Sequence, residues 1–200
     1  MTRLILIRHA PTADTGRRLT GRLPGIPLTP AGRAAAESLA SRLSGTRLEA
    51  VYTSPALRCR QTAALIAAPQ GCRPRVRRAL ADTDYGDLSG STLKAARRSP
   101  AWRLVRTAPS RACFPNGEAL SRVQARAVAA CESLAAAHPG STVALVTHCD
   151  VIATALAHYL GVPLDLFPRL APPSPSAAIL DLPAGGIPRV TSFGLTAEVV

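Results

Sequence analysis

Leu4-Ile5-Leu6-Ile7-Arg8-His9 decides the fold when read with its distant counterpart, Val143-Ala144-Leu145-Val146-Thr147-His148. Each is a short unbroken apolar run that ends abruptly in polar residues and a histidine. A strand needs no polar alternation when helices cover both its faces, which is the situation in a parallel sheet. Outward from these runs the chain alternates helix and strand signals. Thr29-Pro30 gives an N-cap followed by proline at the first helical position; Ala31, Ala35, Leu39 and Leu43 recur on one face, and Gly45 stops the helix. Residues 48–53 read as a second strand. Ser54-Pro55 repeats the start signal for a helix through Ala67, with Arg58 in its first turn, and residues 75–76 read as a short edge strand. Residues 118–138 are helical, with Leu120, Val123, Ala127, Ala130 and Leu134 at helical spacing before Pro139-Gly140. Residues 150–160 read as another helix, for which Asp150 is a candidate N-cap, and residues 177–182 and 187–193 as a closing hairpin. Residues 10–27 are loop.

Strands alternating with helices predict an α/β fold, a three-layer α/β/α sandwich with a mostly parallel sheet, as a single domain over residues 1–200. The turn-rich stretch at about residues 82–118, with one short helix at 93–98, reads as an insertion laid over one end of the sheet. Such sheets carry their sites beyond the carboxyl ends of the strands, where His9 and His148 fall.

Composition narrows the function. Two hundred residues, 47% hydrophobic, suffice for one sizeable core. No stretch approaches the roughly 20 apolar residues of a membrane span, and the run at residues 4–7 is too short for a signal peptide, so a soluble cytoplasmic protein is expected. Cys59, Cys72, Cys113, Cys131 and Cys149 are odd in number and match no paired zinc spacing, which fits reduced thiols; Cys149 merits attention because it follows His148. The net charge is +12, and Lys94 is the lone lysine among 24 basic residues. The arginines are scattered and aromatics make up only 4%, which favours small anionic substrates over nucleic acid.

Two strand-end histidines that share a crevice with Arg8 and Arg58 point to chemistry on a phosphoryl group. Phosphoryl transfer asks mainly for positioning and positive charge around the equatorial oxygens, and forked guanidinium donors match phosphate geometry. A neutral imidazole can attack phosphorus and split one hard displacement into two. His9 is the candidate nucleophile; its Nδ1–H requires a fixed acceptor, such as a backbone carbonyl. A protonated His148 is the candidate charge stabiliser.

Leu-Ile-Arg8-His9-Ala-Pro-Thr, Ser54-Pro-Ala-Leu-Arg58-Cys-Arg-Gln61-Thr62-Ala and Val146-Thr-His148-Cys-Asp-Val-Ile, in this order, resemble the histidine phosphatase superfamily, also called phosphoglycerate mutase-like. The resemblance runs from Leu4 to about Leu182 and takes in Leu28-Thr29-Pro30-Ala31-Gly32, Asp84-Tyr85-Gly86 and Pro115-Asn116-Gly117-Glu118. It implies phosphomonoester hydrolysis of a small phosphorylated metabolite through a phosphohistidine at His9. It also implies a phosphate pocket of Arg8, Arg58 and His148, and no metal or organic cofactor. Asp82 stands where the family's general acid, usually glutamate, is found; an acid is needed because an alkoxide leaving group must be protonated as it departs. Asp84 and Asp150 are rivals for that role. Thr15 and the Thr20-Gly21 pair fall in the loop where relatives contact phosphate, and Glu118 either faces the pocket or caps its helix. Trp102, Arg103, Arg106 and Arg111, in the insertion, are candidates to meet the leaving group. The chain departs from the family at Ala10-Pro11, at Leu88-Ser89-Gly90 and at Cys149, which loosens the substrate more than the chemistry. A cofactor-dependent phosphoglycerate mutase and a catalytically weak phosphate-binding regulatory module are the rival functions, and a homodimer is left open.

Overall fold

The computed structural model describes residues 1–196. In chain order the principal elements are β1 (Thr2–Arg8), α1 (Pro30–Leu43), β2 (Ala50–Thr53), α2 (Leu57–Ala67), β3 (Arg75–Val76), α3 (Leu93–Ala96), α4 (Pro100–Thr107), α5 (Leu120–Ala137), β4 (Thr142–Thr147), α6 (Cys149–Tyr159), β5 (Ser176–Leu182) and β6 (Arg189–Leu195). They form one six-stranded sheet of order β3-β2-β4-β1-β5-β6. The first four strands of that order are parallel, and the terminal hairpin adds β5 and β6 antiparallel.

Burial of both strand faces explains the unbroken apolar runs. Leu4 and Leu6 of β1 and Val143 and Leu145 of β4 pack with Cys131 and Leu134 of α5 and Ile152 and Leu156 of α6. The alternate residues, Ile5 and Ile7 with Ala144 and Val146, meet Leu39 and Ala40 of α1 and Ala63 and Ile66 of α2 on the other face. Three layers result, as the sequence predicts. Leu145 is fully buried, so Leu145→Ala is expected to cost about 2–5 kcal/mol in urea unfolding, the usual range for leucine truncation in a core. Unchanged stability would show that this layer is not close-packed.

Several local expectations are corrected. The buried stripe of α1 is Gly32, Ala36, Leu39 and Ala40, while Ala31 is exposed and Ala35 only half-buried. Ser54 is no helix cap: the N-cap of α2 is Ala56, without a side-chain bond. Asp150 is not the N-cap of α6; His148 occupies that position. The insertion holds a second helix, α4, that the sequence reading missed, although Ser99-Pro100 carries the same start signal as Thr29-Pro30: Ser99 Oγ accepts from Trp102 N. Leu93, Trp102, Ala112 and Phe114 pack the insertion against residues of α5 and α6. Among the described residues, no single helix is long and apolar enough to cross a membrane.

Candidate active site

Strand register alone brings the two histidines together. Arg8 and Thr147 are paired across parallel β1 and β4, so the next residues, His9 and His148, leave the sheet side by side. His9 N donates to Thr147 O at 3.0 Å, and the ring centroids lie 5.2 Å apart. They face a cavity of about 210 Å³ beyond the strand ends.

Each imidazole is fixed by its partners. His9 Nδ1 lies 2.8 Å from the carbonyl of Ala10, which places its proton there and leaves the lone pair on Nε2. Nε2 in turn accepts from Arg58 Nε at 3.3 Å. Burial, helped by the positive fields of His148 and Arg58, pushes the His9 pKa down to about 3, so the ring is neutral at physiological pH. His148 Nε2 lies 2.8 Å from Ser54 Oγ, and its Nδ1 is 3.2 Å from both Asp82 Oδ2 and Arg58 Nη2. The sequence reading expects a charged His148, but burial pulls this ring towards its neutral form, against the attraction of Asp82.

Arg58, on the first turn of α2, is almost wholly covered. Its Nη2 donates to Gly21 O at 2.7 Å and to Asp82 Oδ2 at 3.0 Å. Gly21 has φ +47°, and a Cβ there would lie 2.9 Å from the Tyr85 ring and 3.0 Å from Thr83 O, so the close approach needs glycine. Arg8 donates through Nη1 to Pro172 O. Arg58 Nη1 and Arg8 Nε are buried and find no hydrogen-bond partner among the described residues. Unsatisfied buried donors are costly, and these belong to one arginine that lines the cavity and one that bonds to the His9 ring, an arrangement suited to an oxyanion ligand.

Two carboxyls in the same cavity are shifted in opposite directions. Burial works to raise the Asp82 pKa, but the attractions of His148 and Arg58 outweigh it and keep this group well below the usual carboxylate range. Asp150 is pushed up to about 6 by burial and by the charge of Asp82, against the hydrogen bond from Tyr85. Tyr85 Oη donates to Asp150 Oδ2 at 2.8 Å.

The cavity brings together most of the residues singled out in the sequence. Arg8, His9, Thr15, Thr20, Gly21, Asp82, His148, Cys149 and Asp150 line it, with Arg58 directly behind the imidazoles. Thr15 Oγ1 is occupied by Thr12 N at 2.9 Å. Burial raises the Cys149 thiol to about 12, which removes it as a nucleophile at neutral pH. Asp84 and Glu118 do not line the cavity. Asp84 pairs with Arg22 at 3.3 Å and accepts from Gly86 N, whereas Glu118 is gripped by Arg126 and Arg22; it neither faces the pocket nor caps α5, whose N-cap is Ala119. From the insertion, Trp102 and Leu93 line the cavity, and Arg103, Arg106 and Arg111 do not. Sequence reasoning missed Ser54, hidden because Ser-Pro also signals a helix start, and the supporting role of Tyr85.

A doubly covered α/β sheet with a locked imidazole and guanidinium forks at its strand ends defines an enzyme of phosphoryl transfer. Residues 4–195 match the model of the histidine phosphatase superfamily, branch 1, and the chain belongs to that superfamily. It is thus a phosphoric monoester hydrolase by family. The chain is 28% identical over 172 residues to phosphoserine phosphatase 1 of Hydrogenobacter thermophilus, covering 84% of this chain and 80% of that protein. The solved structure of YhfR from Bacillus stearothermophilus superposes with a TM-score of 0.90 at 32% identity, covering 99% of this chain and 100% of that one. A mycobacterial glucosyl-3-phosphoglycerate phosphatase gives 0.86 at 27% identity, covering 97% and 99%.

Proposed function

We propose that the chain, acting as one catalytic domain with residues 82–118 as its cover, hydrolyses a small phosphorylated metabolite through a phosphohistidine at His9. The observation that carries this reading is the pair of unsatisfied buried guanidinium donors, on Arg8 and Arg58, together with an imidazole whose Nε2 lone pair is held ready. Arg8, Arg58 and His148 take the equatorial oxygens of the phosphoryl group. His9 Nε2 attacks in line; the N–P bond forms as the ester P–O bond breaks, and the departing oxygen takes a proton from a carboxyl. Water then attacks phosphorus as the N–P bond to His9 breaks, gives its proton to the same carboxylate, and leaves inorganic phosphate and the free imidazole. The names of the relatives, which act as phosphatases, support hydrolysis over isomerisation.

Asp82 is the proton carrier in this scheme. Its low pKa rests on Arg58 and His148; a phosphate dianion that draws on the same partners and adds a like charge drives Asp82 towards its protonated form as substrate binds. A second reading assigns the proton to Asp150, which lines the same cavity and already titrates near 6. Asp82→Asn and Asp150→Asn separate the two: the true donor's loss slows alkyl phosphates about a hundredfold or more and leaves p-nitrophenyl phosphate, whose leaving group needs no proton, far less affected. The unpaired state of all five cysteines supports a cytoplasmic enzyme.

Rapid mixing with p-nitrophenyl phosphate followed by alkaline quench is expected to trap an acid-labile phosphoryl group on His9, at up to one equivalent. A burst of p-nitrophenol with no such adduct, or an adduct on another residue, would defeat the scheme.

A further inference from the structure

The segment that carries Asp82 is a single 3-10 turn at residues 78–80 followed by irregular chain, so no backbone ladder satisfies its later carbonyls, and buried ones must find donors elsewhere. Leu80 O takes its donor from Thr147 Oγ1 at 2.7 Å, and carbonyls 79, 81 and 82 share one side chain of α5. Arg126 Nη1 donates to Ala79 O at 2.8 Å and Ala81 O at 2.7 Å, and Nη2 donates to Asp82 O at 3.1 Å. Its remaining N–H groups, on Nε and Nη2, grip Glu118 Oε1 at 2.8 Å and Oε2 at 3.0 Å. A guanidinium has five N–H donors, and all five are used. Arg22, from the loop that also supplies Gly21, closes the other side: its Nε donates to Asp82 O at 3.0 Å and its Nη2 to Glu118 Oε2 at 3.0 Å. Glu118 N donates to Asp84 O at 2.9 Å, which ties the carboxylate's own backbone to the same segment. None of these three side chains bonds to the imidazoles, and Arg126 and Glu118 do not line the cavity.

We infer that Arg126, locked by Glu118 and seconded by Arg22, is a positioning residue that holds the backbone of residues 79–82 so that the Asp82 carboxyl meets the reacting phosphoryl group. The inference rests on the preceding reading in placing Asp82 at the reacting centre, but it does not need Asp82 to be the acid. The fork matters more than the charge, because three carbonyls and two carboxylate oxygens lie in different directions. A lysine ammonium, with three donors at a single point, satisfies at most three of them.

Kinetic coupling between positions 126 and 82 tests it. Arg126→Lys and Arg126→Ala are each expected to lower kcat on an alkyl phosphate such as glycerol phosphate about tenfold to a hundredfold, the usual consequence of a misplacement near 1 Å, while KM moves less than about threefold. In an Asp82→Asn background the same substitutions should lower kcat no further, since the group they position has gone. Glu118→Gln, which releases one arm of the fork, should reproduce the pattern more weakly and serves if Arg126→Ala folds poorly; thermal midpoints of every variant are measured alongside. Full rescue by lysine, a loss that persists unchanged in the Asp82→Asn background, or a loss expressed mainly in KM would each overturn the inference. Failure of the acid assignment shows differently: Asp82→Asn would then slow alkyl and p-nitrophenyl phosphates alike, with the coupling between the two positions still present.

Discussion

His9→Ala should lower kcat roughly 10⁴- to 10⁶-fold, the range seen when a nucleophile is removed from a site whose parts act as a unit. Inorganic phosphate should still inhibit at a concentration within about tenfold of the parent's, because Arg8, Arg58 and His148 remain to bind the anion. That split distinguishes a nucleophile from a binding residue, whose loss weakens phosphate as much as turnover. Acid behaviour gives a second readout. With a pKa near 3, His9 keeps its attacking lone pair throughout the working range, so the acid limb of kcat/KM must come from the substrate or another group. The same low value has a stability consequence. Between pH 6.5 and about 3 the unfolded chain binds a proton at residue 9 that the folded chain refuses, so stability falls with acidification by up to about 1.4 kcal/mol per pH unit from this residue. His9→Ala should flatten the urea-midpoint profile over that window. Retained turnover with an unchanged profile would remove His9 from both roles.

Much of the sheet was readable because residues buried on both faces leave no polar interruption: β4 extends only one threonine beyond its apolar run at each end, and the helix over residues 118–138 shows its stripe plainly. Helix α1 was harder. Alanines at 31, 34, 35 and 36 surround it, so apolar contrast does not tell which face is buried; a contact settles that, since a Cβ on Gly32 would lie 2.1 Å from Pro11 O. Ser54 and Asp150 misled for a common reason. Short polar residues at helix starts usually cap, but here His148, 94 positions from Ser54, and Tyr85, 65 positions from Asp150, claim their side chains. The two imidazoles and Arg58 were legible because strand ends and a helix first turn are fixed places in such a fold. Arg126 was not: nothing local marks an arginine in the middle of a helix as the donor to carbonyls 44 to 47 positions away.

Arg58→Met is expected to damage fold and function together, and the pH dependence of the damage identifies its cause. The guanidinium is 1% exposed and faces a carboxylate that is 11% exposed; removing one partner of such a pair typically costs about 3–5 kcal/mol, because the other is left charged and buried. The Asp82 pKa is depressed in the folded protein, so the stability it confers is fully present above its unfolded value near 3.9 and lost as pH falls through the lower folded value. Without Arg58 the folded pKa rises and that contribution shrinks. His9 moves in the same sense: Arg58 helps to lower its pKa, so the variant protonates it more readily below pH 6.5 and resists acid better than the parent. The gap in urea stability between parent and variant should thus be full and nearly level near neutral pH and narrow only as pH falls through about 4 towards 3, where the folded variant takes up protons that the folded parent still refuses. Activity should fall about 10³-fold through the loss of preorganised charge on the phosphoryl oxygens, with Arg58→Lys recovering part of the stability and little of the rate. A gap that stays constant with pH would assign the cost to lost packing and leave the Arg58–Asp82 pair without an electrostatic role.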